Sequence, residues 1–105
     1  METIVAAAIL VPVPDELRQE MWRGRRVYPD HTIVSAPPPA RHGTLMHSMS
    51  AYLPRRVQPD EQGFLTSTGR YVGREEALAI VFAAGQERVD HPSRNDHTLY
   101  SEDLW

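Results

Sequence analysis

Apolar positions first gather in Thr3 to Val11, TIVAAAILV, a run with β-branched residues at both ends. Its length, and the Pro12 and Pro14 that follow, predict a buried strand rather than a helix, although Ala6 to Ala8 weaken the strand signal. Asp15 to Arg26 predicts a short helix. Asp15 caps it, Leu17, Met21 and Trp22 give it a thin apolar stripe, and Gly24 ends it. Within Val27 to Ser35 a second strand is expected at Thr32-Ile33-Val34. Ala36 to Ala40, APPPA, is a stiff polyproline-like connector that fixes Arg41 and His42 relative to that strand. Thr44 to Tyr52 predicts a helix with Leu45, Met46, Met49 and Tyr52 on its apolar side, stopped by Pro54.

The clearest pattern lies further on, in Gly63 to Gln86, GFLTSTGRYVGREEALAIVFAAGQ. Phe64-Leu65 and Tyr71-Val72 are short strand-like pieces separated by the turn signal Thr66 to Gly69. Gly73 stands at a helix N-cap. Glu75 and Glu76 follow in the first turn, where acidic side chains complement the helix dipole. Ala77, Leu78, Val81, Phe82 and Ala84 recur at helical spacing, and Gly85 supplies the C-cap.

Pro54 to Glu61 and Glu87 to Asp96 are polar connectors. Leu99 and Tyr100 are candidates for an edge strand. The closing Leu104-Trp105 is expected to dock on the core or on another subunit, because a free tryptophan leaves a large apolar group in water. Together these elements predict a single domain of the α+β class, spanning residues 1–105. Its small antiparallel sheet has roughly four strands, with two main helices starting at Thr44 and Arg74.

Composition narrows the function classes. A chain of 105 residues builds a small core. No apolar run reaches the length of a membrane span, and the apolar start lacks the basic residues and cleavage site of a signal peptide. The absence of cysteine excludes disulfides, thiolate metal sites and cysteine nucleophiles. A net charge of −3 argues against duplex nucleic acid and anionic membranes as partners. All eleven basic residues are arginine, so every cation here is a permanently charged planar fork.

Arg70 at the end of the turn and Arg74 in the first helical turn lie near backbone N–H groups that the helix leaves unused. A helix start with guanidinium forks suits an anion, most naturally phosphate. The competing reading is solvated arginines, or arginines paired with Glu75, Glu76 or another carboxylate. Arg41 and His42 lie at a second helix start, with the same preference. For His42 and His47 the alternative is a hydrogen-bonded structural role. Arg23, Arg25 and Arg26 form a basic cluster that reads as a solvated end.

No G-x-S-x-G, P-loop or H-E-x-x-H motif is present, and no catalytic residue, metal site or cofactor is assigned. His42 and His47 are five apart and diverge on a helix. His31-Thr32 and His97-Thr98 suggest two-histidine phosphoesterases, in which one imidazole is base and the other acid. In that family an apolar residue separates His from Thr; here Thr follows directly, which sends its hydroxyl to the opposite strand face.

HTIVSAPPPARHGTLMHSM, then GFLTSTGRYVGREEALAIVFAAGQ, then LYSEDLW, in that order, resembles the Thoeris anti-defence protein 1 family. These are phage sponges that sequester the cyclic ADP-ribose signals of bacterial TIR immunity. The resemblance covers about half of the chain, and G-R-[aromatic]-V-x-R-E-E-A is its most specific part. Asp15 to Arg26 matches nothing in it. The resemblance implies a protein that binds its signal intact in the cytoplasm of the bacterial host. It implies dimers or hexamers, and in some members separate sites for cyclic oligonucleotides. The family's paired arginines fall on Arg70 and Arg74, and a further one on Arg41. An aromatic residue stacks on adenine in the family; Tyr71, Phe64 and Tyr52 are the candidates.

The expected function is therefore non-enzymatic sequestration of a cyclic ADP-ribose isomer, or also of cyclic oligonucleotides, by a homo-oligomer with its site near a subunit interface. The expected ligand-binding residues are Arg70, Arg74, Arg41, Tyr71 and His42. One alternative is a small phosphoesterase using His31, His97 or His42. Another is a protein-binding phage inhibitor such as an anti-CRISPR.

Overall fold

The computed structural model describes residues 1–12, 31–53, 55–89, 91 and 94–105. Strand β1 (Ile4–Pro12) is the apolar opening run. It pairs antiparallel with β2 (His31–Ala36) on one side and β3 (Gln62–Thr66) on the other. A short β4 (Tyr71–Val72) closes the order β2-β1-β3-β4. Helix α1 (His42–Met49) follows β2, and α2 (Arg74–Ala84) follows β4. The α+β architecture with four antiparallel strands and two helices matches the expectation from the pattern. The helix expected at Asp15 to Arg26, and with it the basic cluster Arg23, Arg25 and Arg26, lies outside the described residues.

The central β1 joins two apolar clusters. Ile4 packs with Phe64, Val72, Ala77, Leu78, Val81 and Leu99 under α2. Ala7, Ile9 and Val11 pack with Leu45 of α1 and with Val57. Each fully buried large side chain in such a cluster contributes roughly 1.5–3 kcal/mol. Phe82, expected on the buried face of α2, is 55% exposed, and the Arg88 guanidinium covers its ring at 4.9 Å. Gly85 ends α2 with φ of +66°, as a left-handed cap requires. Just beyond it, the Gln86 carboxamide accepts from the Ile4 N–H (2.8 Å) and donates to the Ile4 carbonyl (3.0 Å), pinning the helix end to β1.

Three local readings are corrected. Pro37 to Ala40 makes a turn, closed by the Ala40 N–H on the Pro37 carbonyl (3.2 Å), instead of a straight polyproline connector. Helix α1 begins at His42, where the Thr44 hydroxyl accepts from the Arg41 N–H, and ends at Met49, where the Ser50 N–H turns to the His47 carbonyl (3.3 Å). Tyr52 is therefore off the helix and 78% exposed. Leu99 and Tyr100 form no strand; Leu99 is fully buried, and a 3-10 turn, Ser101–Asp103, follows.

Trp105 docks as expected. It packs on the second cluster, and its indole N–H donates to the Ala40 carbonyl (2.8 Å).

Candidate functional site

Gly73 places Arg74 at the first position of α2 and offers no side chain to cap the helix amides. The last residues then return to this helix start. The Leu99 N–H donates to the Arg74 carbonyl (3.1 Å), and Leu99 is sunk in the core. That anchor brings the Tyr100 ring to 5.0 Å from the Arg74 guanidinium carbon. Arg74 also donates to the Gln62 side-chain oxygen (2.9 Å) and reaches His42 Nδ1 at 3.5 Å. Its Nε–H is buried and has no hydrogen-bond partner among the described residues. Buried donors without a partner are rare and costly.

Beside this guanidinium lies a cavity of about 580 Å³, walled by Pro59, Asp60, Gln62, Gly73, Arg74, Glu75, Glu76, Thr98 and Tyr100. Its chemistry is mixed. One positively charged fork and the start of α2 favour an anion, whereas the carboxylates of Asp60 and Glu75 accept hydrogen bonds from hydroxyl or amino groups. A phosphorylated sugar carries both kinds of group.

His42 is 4% exposed and packs edge-on against Phe64, centroids 5.0 Å apart. Its Nε2 bonds the Gly63 carbonyl at 2.6 Å, so Nε2 carries the proton and Nδ1 faces Arg74. Burial pushes its pKa below 6.5, Gly63 opposes that shift, and the charge of Arg74 adds to it. His42 is thus a neutral support behind Arg74.

Arg70 stands apart. Its guanidinium is forked by Glu2 (2.7 and 2.8 Å) and bonded by Glu76 (2.8 Å). It does not line the cavity, and it shares no partner with Arg74, so the two guanidinium groups do not converge. The physical reason is competition: two carboxylates of the same chain occupy the Arg70 fork. Arg41 is engaged elsewhere, donating through Nε and a terminal nitrogen to the Trp105 oxygen (2.9 and 2.6 Å), and it does not line the cavity. Tyr71 lies across Gly63, and its hydroxyl is buried without a partner among the described residues. Burial holds that phenol above its usual pKa of 10.0.

Of the predicted residues, the structure brings Arg74 and His42 into direct contact and sets the Tyr71 phenol close enough to feel the charges of Arg74 and Asp60, whereas Arg70 and Arg41 bond elsewhere. Gln62, Tyr100 and Asp60 were missed. Tyr100 belongs to the characteristic LYSEDLW block, which was the available signal; no pattern marks Gln62 or Asp60. The histidines weighed for phosphoester chemistry have separate settings. His31 meets Glu61 at 3.3 Å, His42 is buried, and His97 is exposed. Among the described residues no three acidic or histidine side chains form a metal-holding group, and no helix is long and apolar enough to cross a membrane.

Residues 3–105 match the family described as Phage T4 y16D protein. The chain belongs to that family. The match takes in the whole sheet from Ile4 onward, both helices and the C-terminal segment that carries Tyr100, so the cavity is built entirely from residues of the Phage T4 y16D family match. No curated protein and no solved structure matches the chain.

Proposed function

We propose that this phage-family protein captures a phosphorylated nucleotide signal at Arg74 and holds it unchanged. The preferred ligand is a cyclic ADP-ribose isomer, and the biological effect is blockade of TIR-based immune signalling in the host cytoplasm. The observation that carries this reading is the buried Arg74 Nε–H, without a partner among the described residues, beside a cavity that also offers Tyr100 and the carboxylates of Asp60, Glu75 and Glu76. A phosphate brought against the guanidinium gives that donor a partner once the side chain shifts to expose it, and ribose hydroxyls satisfy Asp60 and Glu75. Charge-assisted bonds of this kind contribute on the order of 1.5–3 kcal/mol each. Sequestration asks for affinity and slow release, and neither requires a nucleophile or a tuned base.

This reading includes a homo-oligomer with the cavity near a subunit boundary, and cyclic oligonucleotides as a second class of guest. Membership in a phage family agrees with an accessory role of this kind. The test is a thermal-shift screen against cyclic ADP-ribose isomers and cyclic oligonucleotides, followed by recovery of the ligand after heat denaturation. Stabilisation with intact ligand recovered supports capture. Linearised product supports an enzyme. No stabilisation by any nucleotide points to a protein-binding inhibitor.

A further inference from the structure

A second cavity, of about 650 Å³, adjoins the first: Pro59 and Gln62 line both. Its chemistry differs. Met46, Leu53 and Val57 give it apolar walls, and Arg56 stands at its edge. The neighbouring arginines divide sharply. Arg55 is neutralised by a two-pronged bond to Glu61, at 2.7 Å on each oxygen. Arg56, the very next residue, makes no ion pair among the described residues. The same division separates Arg70, clamped by carboxylates, from Arg74, which has none among the described residues.

Resting on the capture site at Arg74, we infer that the guest continues past Gln62 and places its nucleobase in this second cavity. Its apolar walls give a second phosphate little to bond beyond Arg56. They suit the flat faces of a purine or pyrimidine. A guanidinium without a carboxylate partner stacks on such a ring, because it is planar and weakly hydrated. Gln62 marks the junction: its side-chain oxygen already accepts from Arg74, and its residue forms a wall of both spaces.

The test compares ribose 5-phosphate with adenosine 5′-monophosphate by titration calorimetry on the whole chain. The monophosphate nucleoside should bind about tenfold tighter or more, the difference being the base. Two variants isolate the second cavity. Arg56→Ala removes the guanidinium, and Ser50→Trp fills the space from an exposed wall position at the end of α1. Both should bring the nucleotide down to the affinity of the sugar phosphate, leave the sugar phosphate unchanged and keep the melting temperature. Arg74→Ala should weaken both probes together. Equal binding of the two probes to the unmodified chain overturns the inference, as does a base advantage that survives both variants. In either case the site at Arg74 stands. Failure of the nucleotide to bind where a cyclic ADP-ribose isomer does bind also overturns it. Failure of all three overturns the capture site as well.

Discussion

The Tyr100 ring lies 5.0 Å from the guanidinium carbon of Arg74, although 26 positions separate the two in sequence. The contact exists because Leu99 is buried and its N–H is bonded to the Arg74 carbonyl. The ring therefore shields one face of the cation from water. A partly desolvated pair of this kind contributes about 1–2 kcal/mol. Tyr100→Ala should therefore reduce the thermal shift given by a cyclic ADP-ribose isomer, whereas Tyr100→Phe, which keeps the ring, should retain most of it. Equal loss in both variants would assign the effect to the hydroxyl instead.

Asp103 secures the same segment from below. Its carboxylate is fully buried, accepts from the Tyr100 N–H (2.8 Å) and bonds His91 Nε2, while its carbonyl accepts from the Val89 N–H. Asp103→Ala strands a part-buried N–H and a part-buried imidazole, at a cost of about 1 kcal/mol for each group left unsatisfied. The variant should unfold at clearly lower urea concentration, and limited proteolysis should cut first after Gln86. A cleavage pattern identical to the parent would show that Asp103 is not the anchor.

Much of this frame can be read in the sequence, because local rules and tertiary demands agree there. Gly73, Glu75, Ala77, Leu78, Val81 and Gly85 each sit where a capped amphipathic helix needs them, and α2 occupies that span. The turn between β3 and β4 and the buried β1 follow from equally local signals. The site was legible only in part. Arg74 is marked by its place at a helix start, but the partner of Arg70 is Glu2, 68 positions away, and no periodicity announces that pair. Tyr100 reaches Arg74 by a chain reversal, and Gln62 is one polar residue among several. Pairings of that range are decided by packing, which the pattern of one chain does not encode residue by residue.

Gly63 is a point of close approach. A Cβ built there would lie 2.3 Å from the Val72 carbonyl oxygen and 2.5 Å from the Tyr71 ring. The carbonyl belongs to the neighbouring strand and cannot swing aside. Gly63→Ala should therefore destabilise by about 1–3 kcal/mol, read as a lower midpoint in chemical denaturation. It should also disturb His42, whose Nε2–H donates to the Gly63 carbonyl. A midpoint equal to the parent would mean that β3 and β4 are looser than their register implies.

Acid should weaken the fold in two windows. His42 is held below 6.5 mainly by burial, so near that pH the unfolded chain takes up a proton that the folded chain refuses. Stability then declines as pH falls below about 6.5. Glu2 and Glu61 are held down to about 2 from 4.5, chiefly by the forks of Arg70 and Arg55. Their contribution is complete above about pH 4.5 and disappears as pH falls towards 2. Denaturation midpoints across this range should fall in both windows, and His42→Gln should flatten the upper one. A midpoint that rises on acidification through pH 6.5 would reverse the assignment of a neutral His42.

We propose that a single arginine, Arg74, receives the phosphate, while Arg70 serves the fold through Glu2 and Glu76. Titration of a cyclic ADP-ribose isomer into the parent, Arg74→Ala and Arg70→Ala proteins tests this most directly. The parent should bind tightly, Arg74→Ala should lose about tenfold or more, and Arg70→Ala should keep near-parental affinity with a lowered melting temperature. Undiminished affinity in Arg74→Ala would contradict it.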